Sequence, residues 1–193
     1  MSRKAQRVHY DLDPKDVKKL PLEELKAILR AADELIGSGG RSLLVKILKG
    51  SQAQDVLRLH LDQCPAYGYF RPLSADEVLA RIDRAILDSY LKVVYDNRLP
   101  VLVFTDAGWE IEKENLANEL LSGFDELLTT SPPPYDMSYL KDRNRTLIWS
   151  LLDKIEASGN PKYLPLLEAW EQIDYKKVKE RIQQVIRKMQ GAG

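Results

Sequence analysis

Five cations, Arg41, Lys46, Lys49, Arg58 and Arg71, lie between residues 37 and 72 against two acids, Asp55 and Asp62. A local excess of this kind suits one chemistry, the neutralisation of phosphates by point charges. Arg41, Lys46 and Lys49 recur along the run GRSLLVKILKG from Gly40 to Gly50 and are candidates for phosphate contact. A solvated helix face is the competing reading of the same three residues. Covalent chemistry has less to work with. The chain has two histidines, His9 and His60, and one cysteine, Cys64. His60 and Cys64 stand at i, i+4 spacing, but a zinc site needs further ligands nearby and none is evident. No Ser/His/Asp or Cys/His set is evident either. The acids Glu110, Glu112, Glu114 and Glu119 read as a solvated helix face. No Gly-x-x-x-x-Gly-Lys-Ser/Thr stretch is present to cradle the phosphates of ATP. No catalytic residue, no metal and no cofactor are therefore expected, and the chain does not read as an enzyme.

The elements that must position those cations follow from length and patterning. With 193 residues and 44% hydrophobic content, the chain can bury a core in one or two domains. Basic and acidic residues both number 29, so no net field draws in a polyanion. The charge is nonetheless segregated. Residues 1–20 carry six basic and three acidic groups, and residues 140–193 carry eleven and seven. Residues 106–130 carry one basic group against seven acidic ones. One cysteine fits a reducing compartment. The start MSRKAQRVHYDLDPK has no apolar stretch of the signal-peptide type, and no run reaches the ~20 apolar residues of a membrane helix. A cytoplasmic protein without membrane attachment is expected.

Residues 1–20 read as a polar arm. Apolar spacing predicts a helix over 22–36, beginning after Pro21 and stopped by Gly37, Gly39 and Gly40. Short helices are predicted over 42–48 and 53–61. Ser74 and Glu77 have the spacing of a capping box and open a helix with Val78, Ile82, Ala85 and Ile86 on one face. Residues 91–95 and 101–105 are β-branched and apolar, as strands are, and 96–100 read as the turn between them. Helix resumes from Trp109 to Leu128. Thr129-Thr130-Ser131-Pro132-Pro133-Pro134 reads as a linker. Three further helices are predicted over 139–157, 161–170 and 175–189. The fold class is mainly α with a small β-hairpin, a winged helix followed by an α-helical C-terminal extension. The boundaries are 1–20 for the arm, 21–128 for the winged helix with flanking helices, 129–135 for the linker and 136–190 for the C-terminal helices.

The stretch from Gly40 to Gly108 resembles the RQC domain, the winged helix that follows the motor and zinc-binding regions of RecQ-type DNA helicases. The resemblance lies in Ile47-Leu48-Lys49-Gly50-Ser51, in Tyr67-Gly68, in the helix Glu77–Leu87 running into Tyr90-Leu91, and in Leu102-Val103-Phe104-Thr105 followed by Gly108. It covers about a third of the chain, and the ordered set is more specific than any one motif. It implies DNA contact by the loop before the Tyr-Gly turn and by the start of the next helix, places held here by Gln63, Cys64, Tyr67, Gly68, Arg71 and Ser74. It implies a second contact at the wing tip, held here by Tyr95, Asn97 and Arg98. The short turn with Pro100 close behind argues for Arg98 on a phosphate rather than for a long strand-separating wedge. Neither motor motifs nor a four-cysteine site are present, so helicase activity does not carry over.

The expected function is noncatalytic binding of duplex or branched DNA by backbone and shape, in DNA replication, recombination or repair. The alternative is a protein-interaction adaptor docking on a repair or replication enzyme. In the C-terminal third, Trp149, Tyr163 and Trp170 together with leucines predict a helical core or a docking surface, and the basic end a contribution to DNA affinity.

Overall fold

The structure, a computed structural model, describes residues 10–191. Its elements are α1 (Leu22–Asp33), α2 (Arg41–Lys49), α3 (Gln54–Arg58), α4 (Ala75–Leu87), β1 (Leu91–Asp96), β2 (Leu99–Phe104), α5 (Asp106–Thr130), α6 (Arg145–Ser158), α7 (Leu164–Ile173) and α8 (Lys176–Gly191). The order is mainly α with one hairpin, as the patterning predicts. Two compact units divide the chain, Met1–Glu112 and Lys113–Gly193.

In the first unit, α1, α2 and α4 bury one apolar face each around Ile28, Leu29, Leu44, Ile47, Leu48, Val78 and Ile82. The faces follow from helical spacing, since i, i+3 and i+4 positions share a side. Ser74 starts α4 as read. Its hydroxyl accepts from the Glu77 N–H, and the Glu77 carboxylate accepts from the Ser74 N–H, so two orphan donors are satisfied at once. The hairpin pairs antiparallel from Leu91↔Phe104 to Asp96↔Leu99. Its turn is the dipeptide Asn97-Arg98, shorter than the five residues predicted, because β2 already begins at Leu99. Pro100 is tolerated in that strand because a two-stranded sheet has only edges. The helix predicted to reach Ile36 ends at Asp33. Beyond it, Gly37 donates to the Leu102 carbonyl at 2.8 Å, and the Leu102 N–H donates to Gly39 at 2.9 Å, so this loop lies along β2. Gly108 sits where a Cβ would fall 1.9 Å from the Tyr90 carbonyl oxygen, a space that only glycine fits.

The arm is a different matter from its prediction. Residues before Tyr10 lie outside the described residues. From Tyr10 onward the segment packs on the first unit: Leu20 is buried, Val17 lies against the core, and the Asp13 N–H donates to Asp83 Oδ2 at 2.9 Å. Two apolar residues three apart, Val17 and Leu20, override the polar composition.

The second unit buries Phe124, Ile148, Leu151, Leu152, Leu166, Trp170, Ile182 and Val185. Phe124 meets Trp170 edge to face, with centroids 6.2 Å apart. The Pro-rich segment is not where the units divide. The division falls inside α5, which runs unbroken through Thr130, and Phe124 together with Leu120, Leu121, Leu127 and Leu128 belongs to the core of the second unit.

Candidate nucleic-acid interface

The centre of the candidate interface is built at the C-terminal end of α2. Gly50 has φ +69° and closes the helix with two backbone bonds, Gly50 N–H to Ile47 and Ser51 N–H to Lys46. That pair of bonds is a Schellman motif. The Tyr-Gly turn then docks on the remaining carbonyls. Gly68 donates to Ile47 at 2.9 Å and Phe70 donates to Leu48 at 2.8 Å. Gly68 has φ +74°, the left-handed conformation that costs an L side chain energy. Tyr67 is half-buried against the core, and its hydroxyl donates to the Ser51 carbonyl at 3.0 Å. Here Tyr67 is a brace between the two loops.

Arg71 completes this framework. A Cβ on either Gly50 or Gly68 would stand 3.0 Å from Arg71 Nη2, so the guanidinium rests against the glycine pair. Arg71 is exposed and, among the described residues, makes no ion pair. Gln63 is also exposed, at the end of the 3-10 turn Leu61–Gln63.

The three cations of the GRSLLVKILKG run are engaged elsewhere. Arg41 Nη1 lies 2.6 Å from Asp83 Oδ1 and donates to the Asp11 carbonyl, with the guanidinium over the Tyr10 ring. Asp83 is 1% exposed, so Arg41 neutralises a buried charge. Lys46 Nζ lies 2.6 Å from Asp55 Oδ2 and holds the Asp55 carboxyl below its usual range. Lys49 donates to the backbone carbonyls of Arg71 and Leu73. It fastens the loop before α4 and helps to place Arg71.

Ser74 stands at the start of α4, where its own N–H is taken by the Glu77 carboxylate and its hydroxyl by the Glu77 N–H. The hydroxyl of Ser74 holds the Glu77 carboxyl below the ordinary range. At the wing, Asn97 has φ +53°, and its amide donates to Asp96 Oδ1. Arg98 is exposed and has no ion pair among the described residues. Leu99 beside it is 64% exposed, the most open of the large apolar side chains among the described residues. Reading 96–100 as one loop hid Leu99. Leu99 pairs directly with Asp96 across the two-residue turn Asn97-Arg98. Lys92 and Arg58 are likewise exposed without ion pairs. Tyr95 lies 6.2 Å from the Tyr10 ring, behind the tip.

Cys64 is buried, with its sulfur 3.9 Å from the Arg30 carbonyl oxygen, and His60 is exposed. Among the described residues no three His, Cys, Asp or Glu side chains come together as a metal site. No helix among them is long and apolar enough to cross a membrane.

Comparison with curated proteins and with solved structures finds no match. Comparison with family models does. The RQC domain matches residues 21–120, a little over half of the 193-residue chain. The match spans α1 to the middle of α5, and with it the α2 terminus, the Tyr-Gly turn, α4 and the wing. This is the DNA-binding winged helix found in RecQ helicases, and the present chain belongs to the RQC domain family.

Proposed function

We propose that this chain is a noncatalytic, cytoplasmic DNA-binding protein that recognises duplex or branched DNA by its backbone and shape, in replication, recombination or repair. The observation that carries the reading is the state of the cations inside the matched segment. Arg41 and Lys46 are paired with carboxylates and Lys49 with carbonyls, whereas Arg71 and Arg98 are exposed and make no ion pair among the described residues. Those two occupy the turn before α4 and the wing tip. Phosphate contact from such cations positions a protein on DNA without reading its sequence. The buried carboxylate on α4, and Asp76 and Glu77 in its first turn, disfavour deep insertion of that helix among phosphates.

The test is a salt-titrated binding series against duplex, fork and single-stranded DNA. With about three to five phosphates neutralised, log K falls against log salt with a slope of roughly −3 to −5. The double variant Arg71→Glu, Arg98→Glu removes most duplex affinity. No ATP hydrolysis accompanies DNA binding. A duplex affinity that ignores both salt and the double variant overturns the reading in favour of a protein-docking adaptor. DNA-stimulated ATP hydrolysis by the purified chain overturns its noncatalytic part.

A further inference from the structure

The second unit separates its cations into two kinds. Lys154 pairs with Glu114, Lys162 with Asp125, Arg181 with Asp153 and Glu156, and Lys188 with Glu156. Seven others, Lys141, Arg143, Arg145, Lys176, Lys177, Lys179 and Arg187, make no ion pair among the described residues. Five of them, Lys141, Arg143, Arg145, Lys176 and Lys177, are exposed and belong to two segments that meet at Tyr175. Lys141, Arg143 and Arg145 come from the segment entering α6, and Lys176 and Lys177 open α8. A cavity of about 240 Å³ is lined by Lys141, Asp142, Arg143, Arg145, Asp174 and Tyr175, and Lys176 and Lys177 directly follow Tyr175 in the chain.

The carboxylates nearby make no ion pair with these cations among the described residues, and Asp142 and Asp174 offset only part of their charge. Asp136 accepts from the Ser138 N–H, Asp142 accepts from the Tyr175 hydroxyl at 3.0 Å, and buried Asp174 accepts from Trp170 Nε1 at 2.6 Å. Nor do the cations serve α8 itself. Lysines in a first turn oppose the helix dipole, and α8 has no acid there.

Aromatic rings stand among the charges. Tyr175 is 50% exposed, with Lys141 Nζ 5.2 Å from its ring centroid. Tyr139 is 44% exposed, and its carbonyl accepts from Arg143. Arg145 lies over Trp149 at 5.7 Å. A flat ring left open amid cations offers a stacking surface to an unpaired base while the cations hold its phosphates. Bases inside a duplex do not present their faces in this way.

We infer that this patch is a second nucleic-acid site, separate from the winged helix, and that it binds a single strand by stacking a base on Tyr175 between phosphate contacts from Arg143, Lys176 and Lys177. The site lies wholly within residues 139–177, beyond the segment that matches the RQC domain. It does not depend on the duplex reading above.

The test uses the full chain and a labelled 20-nucleotide oligo-dT. The triple variant Arg143→Glu, Lys176→Glu, Lys177→Glu is expected to lose tenfold or more in affinity. Its salt slope should shrink by roughly 0.7 for each lost contact. Acids at the start of α8 suit the dipole, so this variant stays folded, with an unchanged melting curve as the check. Tyr175→Ala is expected to cost about fivefold or more, and Tyr175→Phe, which keeps the ring, to bind as the unaltered chain does. Arg71→Glu with Arg98→Glu should leave oligo-dT binding in place, so a failure of the duplex reading and a failure of this one are told apart. Unchanged oligo-dT affinity in the triple variant overturns the site. Equal binding by the Ala and Phe variants, or an oligo-glutamate peptide that binds as tightly as oligo-dT, overturns the assignment to a nucleic-acid strand.

Discussion

The backbone N–H of Gly68 donates to the carbonyl of Ile47 at 2.9 Å, across 21 residues of chain. That bond joins the Ile-Leu-Lys-Gly-Ser run to the Tyr-Gly turn, which are adjacent in space and serve one purpose. The last carbonyls of a helix need donors, and the turn supplies them. In the left-handed conformation its glycines also leave room for the Arg71 guanidinium.

Gly68→Ala therefore acts twice. An alanine held at φ +74° costs about 1–2 kcal/mol. Its Cβ also displaces Arg71. We expect a lower urea midpoint together with weaker duplex binding. Arg71→Ala separates the two effects: it weakens binding and changes stability by less than about 0.5 kcal/mol, as exposed surface positions do. Equal stability of the Gly68→Ala variant and the unaltered chain contradicts the backbone argument.

Arg41→Ala should behave in the opposite way. Asp83 is buried, and removing Arg41 takes away its ion-pair partner among the described residues. Breaking one partner of a buried pair costs about 3–5 kcal/mol. The expected result is a large drop in the urea midpoint of the first unit. Arg41→Ala, Asp83→Ala together should recover part of the loss, and no recovery argues against the pairing.

The contrast between Arg71 and Arg41 marks how far the sequence could be read. The capping box at Ser74, the apolar stripes of α1 and α4 and the two strands are local patterns, and they folded as read. The partner of Arg41 is 42 residues away, and a count of charges treats both as free. Lys46 and Asp55 are nine residues apart but belong to different helices. Which cations remain available for phosphate is a tertiary property, and of the cations singled out Arg58, Arg71 and Arg98 kept that freedom among the described residues. The division inside α5 was hidden for the same reason. Helical spacing shows that Phe124 is buried but does not show in which core.

Arg98→Ala tests the wing. A phosphate contact carries no sequence information, so affinity should fall to a similar degree for all duplex sequences. The salt slope should lose about 0.9. Binding by the hairpin tip through bases would instead show as a sequence-dependent loss.

Acid should loosen the second unit. Lys154 and Ser150 hold the Glu114 carboxyl below its usual range, and Lys188 and Arg181 do the same for Glu156. A depressed native pKa contributes stability that is complete above the unfolded value. That stability is lost as pH falls through the native one, below the ordinary glutamate range. Glu114→Gln, Glu156→Gln should lower stability at neutral pH and flatten its decline in acid. The exposed members are screened, so the effect should shrink in high salt. An unaltered acid limb in the double variant removes these carboxylates as its cause.

Phe124→Ala distinguishes the two possible boundaries. Phe124 is 0% exposed and stands between Tyr163 and Trp170, with centroids 6.4 Å and 6.2 Å away. Truncating a buried phenylalanine costs about 3–5 kcal/mol, the sum of lost transfer energy and a cavity. A boundary at the Pro-rich segment would charge that cost to the winged helix. The division after Glu112 charges it to the C-terminal helices. Hydrogen exchange reads the difference directly. We expect amides of α6, α7 and α8 to lose protection in the variant while those of α1, α2 and α4 keep theirs, with duplex affinity within about twofold of the unaltered chain. Loss of protection in α2 and α4 would place Phe124 in the first core and move the boundary back to the prolines.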